Sequence, residues 1–99
     1  MLTSAVENDS PTYKKQCGRR LRAVRLALNF NTIRGFATET SVEEDTLGAW
    51  ESGQNMVQAY YVLKLKQEYG VTFEWIFDGD PKDLPYSLAV PVLEQASSS

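Results

Sequence analysis

Ninety-nine residues, 42% of them hydrophobic, suffice for one domain with a single modest core and leave no room for a second. With no histidine and one cysteine, Cys17, the chain has neither the ligand spacing of a zinc or transition-metal centre nor an internal disulfide, and we expect no metal and no cofactor. The formal net charge of -3 is unevenly spread: residues 1–40 carry seven bases against three acids, and residues 41–99 carry three against ten. The basic half is consistent with a solvated helix face and equally with a phosphate-facing surface. No stretch approaches the roughly 18 apolar residues of a membrane span, and MLTSAVENDSP lacks the basic-then-apolar order of a secretory signal, so a soluble intracellular protein is expected.

Along the chain, Ser10-Pro11 reads as an N-cap followed by a first-turn proline. The apolar series Tyr13, Cys17, Leu21, Val24, Leu28 then predicts a helix over 11–28. Its other face carries Lys15, Arg19 and Arg22. The Cys17 thiol shares the apolar register and is expected to be buried rather than reactive. Asn29-Phe30-Asn31 breaks the pattern, and Thr32 caps a short second helix through Ile33, Phe36 and Ala37.

Ser41-Val42-Glu43-Glu44 has the form of a capping box and predicts a third helix, about 42–51, ending near Gly53. Asn55 with Gln58 repeats that logic for a fourth, through Ala59, Val62, Leu65 and Tyr69 to Gly70. Thr72 caps a last short helix over 73–77, and Asp78-Gly79-Asp80-Pro81 reads as a turn. The expected organisation is a disordered tail over 1–10, a five-helix domain over 11–79, and an extended or disordered tail over 80–99, within which 86–93 is apolar enough to be a dimer surface.

Two short helices joined by about three residues, with a longer helix before and another after, form the supersecondary pattern of a DNA-binding helix-turn-helix. The residues sharpen it: Arg20-Leu21-Arg22-Ala23-Val24-Arg25, then Phe36-Ala37, then Trp50-Glu51-Ser52-Gly53, then Tyr69-Gly70-Val71-Thr72-Phe73-Glu74-Trp75-Ile76-Phe77. In order and spacing these blocks resemble the lambda-repressor-like, or XRE-type, helix-turn-helix regulators of bacteria and phages. The closing Trp-Ile-Phe-Asp-Gly-Asp-Pro is similar to an alpha-proteobacterial subset. The resemblance covers about residues 18–78.

The resemblance implies a bacterial, cytoplasmic transcriptional regulator, a repressor acting as a homodimer on double-stranded DNA. It also implies a buried ion pair between Arg25 and Glu51. The third helix would enter the major groove with Glu43, Glu44, Asp45 and Ala49 at base edges. Thr32, Ile33, Arg34, Gln54 and Asn55 would meet phosphates, and Arg19 and Arg20 would add attraction.

In several places the chain departs from that pattern. Where such regulators place amides and guanidiniums on the third helix, this one has carboxylates, which can accept a hydrogen bond from cytosine N4 or can serve the helix dipole from the first turn. Ile33 stands where glutamine often bonds a phosphate, and Ser52-Gly53-Gln54-Asn55 lacks the usual bases. The alternative expectation is an adapter that binds another regulator or a polymerase subunit through the acidic third helix or through Tyr60 and Tyr61. No catalytic residue is expected, because no nucleophile with a base, no phosphate loop and no metal set accompanies the carboxylates.

Overall fold

Ser10 stays extended (φ -71°, ψ 147°), and its hydroxyl oxygen accepts the Tyr13 N–H at 3.1 Å. That cap, with Pro11 behind it, starts α1, Pro11–Ala27. The helix closes in a Schellman turn. Asn29 takes a left-handed conformation (φ 71°), its N–H donates to the Leu26 carbonyl, and the Phe30 N–H reaches back to the Arg25 carbonyl at 3.1 Å. Asparagine tolerates that conformation better than most residues, so the break expected at residues 29–31 has a definite backbone form.

The Thr32 hydroxyl oxygen accepts from the Gly35 N–H at 3.0 Å and opens α2, Ile33–Glu39. A second Schellman turn ends it: Ser41 sits at φ 59°, Ser41 N–H donates to Thr38 and Val42 N–H to Ala37. This corrects the capping box read at Ser41. The serine is spent on terminating α2, and the N-cap of α3, Glu44–Ser52, is Glu43, which makes no side-chain cap bond. Left-handed serine is strained, so Ser41→Gly is expected to stabilise the fold by about 1 kcal/mol, seen as a higher urea midpoint at unchanged slope.

α3 ends at left-handed Gly53 (φ 81°). The expected cap at Asn55 is also corrected: α4, Ala59–Tyr69, begins after Gln58, leaving Val57 to be buried in the core ahead of it. A single π-helical turn, Glu74–Asp78, follows, and the Trp75 N–H donates to the Thr72 hydroxyl at 3.0 Å. α1 holds this turn by three bonds: Tyr13 Oη to the Phe77 carbonyl, Arg20 Nη1 to the Ile76 carbonyl, and Trp75 Nε1 to the Arg20 carbonyl.

The tail expected over 80–99 is overturned for its greater part, because Tyr86–Ser98 forms a further helix, α5, packed along α1. Leu84, Leu88 and Val92 recur every four residues and are buried. Pro91 inside α5 withholds one hydrogen bond from the carbonyl of Ser87, an exposed residue within reach of water. Residues 10–98 are described by this computed structural model, and among them the fold is all-α with no strand. Residues 1–9 of the expected N-terminal tail lie outside the described residues.

One core runs between the helices. Cys17, Leu21 and Val24 of α1 meet Phe36 of α2, Leu47 and Trp50 of α3, and Tyr61, Val62 and Leu65 of α4, all buried. The Trp50 and Tyr61 rings lie 4.9 Å apart, and Phe30 covers Phe36 at 5.0 Å. α1 comes against the backbone of α3 at Gly18, where a methyl group would strike the backbone carbonyls of Trp50 and Glu51.

Candidate nucleic-acid interface

Two short helices need an external brace, since neither is long enough to be stable alone. The brace is Arg25. Its Nε and Nη2 hold the two Glu51 oxygens at 2.8 and 3.1 Å, and its Nη1 donates to the Phe30 carbonyl at 2.8 Å. Both side chains are buried, 6% and 4% exposed, so α1, the loop before α2, and the end of α3 are fixed by one guanidinium. A second lock lies behind α2: the Tyr61 and Thr40 hydroxyls are 2.8 Å apart, and Lys64 Nζ donates to the Thr40 carbonyl at 2.6 Å. Burial pushes the Tyr61 phenol up to about 12, so it stays neutral and keeps that bond across the physiological range.

So braced, the first turns of α2 and α3 come within reach of each other at the surface, where Arg34 meets Glu44. Glu43, Glu44 and Asp45 are exposed, Gly48 and Ala49 are half-exposed, and nothing lies within 4 Å of where a Gly48 methyl would project. Leu47, Trp50 and Glu51 are buried, on the side of α3 away from Asp45, Gly48 and Ala49. The helix is therefore amphipathic, with one face spent on the core and one exposed.

The expected phosphate-facing residues divide. Thr32 and Arg34 stand exposed beside that surface, although the Thr32 oxygen already accepts a bond in capping α2. Arg34 Nε pairs with Glu44 Oε1 at 3.1 Å, which joins an expected phosphate contact to an expected base contact. Ile33 is half-buried and its side chain packs against the core. Gln54 and Asn55 are exposed at the far end of α3, their N–H groups held by the Ala49 carbonyl. Lys15 of α1, exposed, lies with its backbone and Cγ against Gly53.

Arg19 and Arg20 are not part of this surface. They line a cleft of about 400 Å³ with Gln16, Asp78 and Gly79 beside the π turn, and Arg20 is tied there to the Ile76 carbonyl. Tyr61, named with Tyr60 as a partner surface, is 1% exposed and belongs to the core, whereas Tyr60 is 64% exposed and meets Trp50 edge-on. Burial raises the Cys17 thiol above its ordinary value.

Among the described residues no three His, Cys, Asp or Glu side chains converge as a metal set, and no helix is long and apolar enough to cross a membrane. No family model, no curated protein and no solved structure matches this chain.

Proposed function

We propose that the chain is a sequence-specific DNA-binding transcriptional regulator that sets the exposed face of α3 in the major groove. The supporting observation is the braced pair α2 and α3, whose free face is rimmed at both ends by groups suited to phosphate: Thr32 and Arg34 at one, Lys15, Gln54 and Asn55 at the other. Between them Glu44 and Asp45 are the side chains able to accept from cytosine N4, with Ala49 offering a methyl to thymine.

Magnitudes decide whether the acids forbid this. The Arg34–Glu44 pair is exposed, 80% and 49%, and such pairs contribute about 0 to 1 kcal/mol, so a phosphate can recruit Arg34 at little loss. Each acid in the first turn of α3 is favoured by roughly 0.3 to 1 kcal/mol through the helix dipole, which explains its presence in the free protein. Repulsion between the carboxylates and DNA is met by the rim cations and weakens affinity without abolishing it.

The test is selection of bound sequences from a pool of random duplexes at two salt concentrations. A two-fold motif is expected, with affinity falling as salt rises. Arg34→Ala is expected to lower affinity for all duplexes alike and to reduce the salt slope by about one, while leaving the melting temperature nearly unchanged because the pair it breaks is exposed. An unchanged slope removes Arg34 from the interface.

A second reading is favoured by one observation, the exposure of Glu43, Glu44 and Asp45: the same face binds a basic surface on another regulator or on a polymerase subunit. Charge reversal at Glu44 and Asp45 separates the readings. Under the first a selected motif is lost, and under the second non-specific DNA affinity rises while a protein partner is lost.

A further inference from the structure

The cleft that Arg19 and Arg20 line has walls from three elements. Arg19 and Arg20 lie three and four residues after Gln16, so these side chains of α1 share one face. Trp75 and Asp78 come from the π turn, and Ala96 from the end of α5. At about 400 Å³ the cleft falls within the range of small-molecule sites, roughly 300 to 1,000 Å³.

Arg20 is held in place by the protein itself. Its Nη1 donates to the Ile76 carbonyl at 3.2 Å, and its own carbonyl accepts from Trp75 Nε1 at 3.2 Å. The guanidinium lies on Gly79, with Nε, Cζ and Nη2 each 3.0 Å from where a methyl would project, so a side chain there would take its seat. One of its N–H groups is thus used, and the others have no acceptor among the described residues. Exposed Arg19 makes no hydrogen bond or ion pair among them. Asp78, exposed on the π turn, forms no ion pair with either arginine, although all three line one cleft.

We propose that this cleft binds a small zwitterion of the amino-acid type, its carboxylate taken by Arg19 and Arg20 and its ammonium by Asp78. A guanidinium fits a carboxylate through parallel hydrogen bonds, and one that is already fixed loses little freedom on binding. Asp78 sets the class of ligand. It repels a phosphate dianion and faces nothing in a plain carboxylate, whereas a zwitterion satisfies both signs of charge at once. The ligand touches α1, the π turn and α5 together, so binding ties the last helix to the first.

The inference stands apart from the DNA reading, because neither Arg19 nor Asp78 belongs to the α2–α3 face. Titration calorimetry of the full chain without DNA, with the twenty common amino acids taken singly, tests it. At least one is expected to bind with a Kd below about 1 mM. The same compound without its amino group, and inorganic phosphate, should bind at least about tenfold more weakly. At ten times its Kd the amino acid should raise the melting temperature by roughly 6 to 11 °C.

Arg19→Ala and Asp78→Asn, both at exposed positions, should each weaken binding at least about tenfold without changing the circular dichroism spectrum. Asp78→Asn should also narrow the gap between the amino acid and its deaminated analogue, a change that a merely structural role would not produce. Arg22→Ala removes the same charge from an exposed position of α1 outside the cleft and should bind like the wild type. A chain that binds none of the twenty below about 1 mM overturns the proposal. So does equal affinity for phosphate or for the deaminated analogue, and so do Arg19 and Asp78 variants that bind like the wild type. Duplex selection is read separately, so a chain that selects a sequence but binds no amino acid, or the reverse, tells the two failures apart.

Discussion

Replacing Glu51 by alanine is expected to cost about 3 to 5 kcal/mol, because it strands the Arg25 guanidinium in a site from which water is excluded. In a domain of this size each kcal/mol moves the melting temperature by about 4 to 8 °C, so a fall of at least about 12 °C should be seen by circular dichroism. The size of the effect comes from the stranded charge rather than from the net contribution of the pair.

The double replacement Arg25→Met with Glu51→Leu is therefore expected to recover most of the loss, since a buried pair and its apolar substitute are often close in stability. One cost remains in the double variant: the Phe30 carbonyl loses the Arg25 Nη1 donor and must find water. A Glu51→Ala protein that melts within a few degrees of the parent would show that the pair is not what braces α3.

The second large effect is expected at Gly18, and it sets two terms against each other. Alanine in a helix interior is worth about 1 kcal/mol over glycine, so α1 alone should gain. Against this, the new methyl would sit 2.5 Å from the Glu51 carbonyl oxygen and would strike that of Trp50 also. Backbone obstacles cannot swing aside as a side chain can, so relief requires α3 to move as a unit and to stretch the Arg25–Glu51 bonds.

Overpacking typically costs 1 to 3 kcal/mol and at times more, and here the collision wins with a net loss of about 2 kcal/mol. Gly48→Ala is the matched control. In α3 the same substitution meets nothing within 4 Å, and it should stabilise by up to about 1 kcal/mol. Urea titration of both variants checks the pair; a Gly18→Ala protein as stable as Gly48→Ala would mean that α1 and α3 are not in backbone contact.

Much of this is legible in the sequence. The apolar steps from Tyr13 to Val24 placed α1 to within a residue, Ser10 and Thr32 showed their caps, and Gly53 and Gly70 marked helix ends where a left-handed residue was needed. Those signals are local: each depends on hydrogen bonds or side-chain spacing within a few residues, and so each can be read along the chain.

Other features were not local. Ser41 had the right partner for a capping box, yet it was taken by the Schellman turn that ends α2, because two helix ends compete for so short a connection. α5 was hidden by two prolines and a serine-rich end, although Leu84, Leu88 and Val92 carried its period; a helix with Pro91 inside it persists where α1 supplies a surface for that stripe to bury.

The candidate interface divides the same way. The sequence by itself determined which residue types α3 presents and that the basic residues concentrate in the first forty, while the pairing of Arg25 with Glu51 was implied by the resemblance. Only the tertiary structure decided that Arg20 turns to the π turn rather than to α3, that Tyr61 is core while Tyr60 is surface, and that Arg34 reaches Glu44 across the gap between α2 and α3. The physical reason is that burial and charge pairing depend on which helix faces close on one another, and those contacts join residues far apart in the chain.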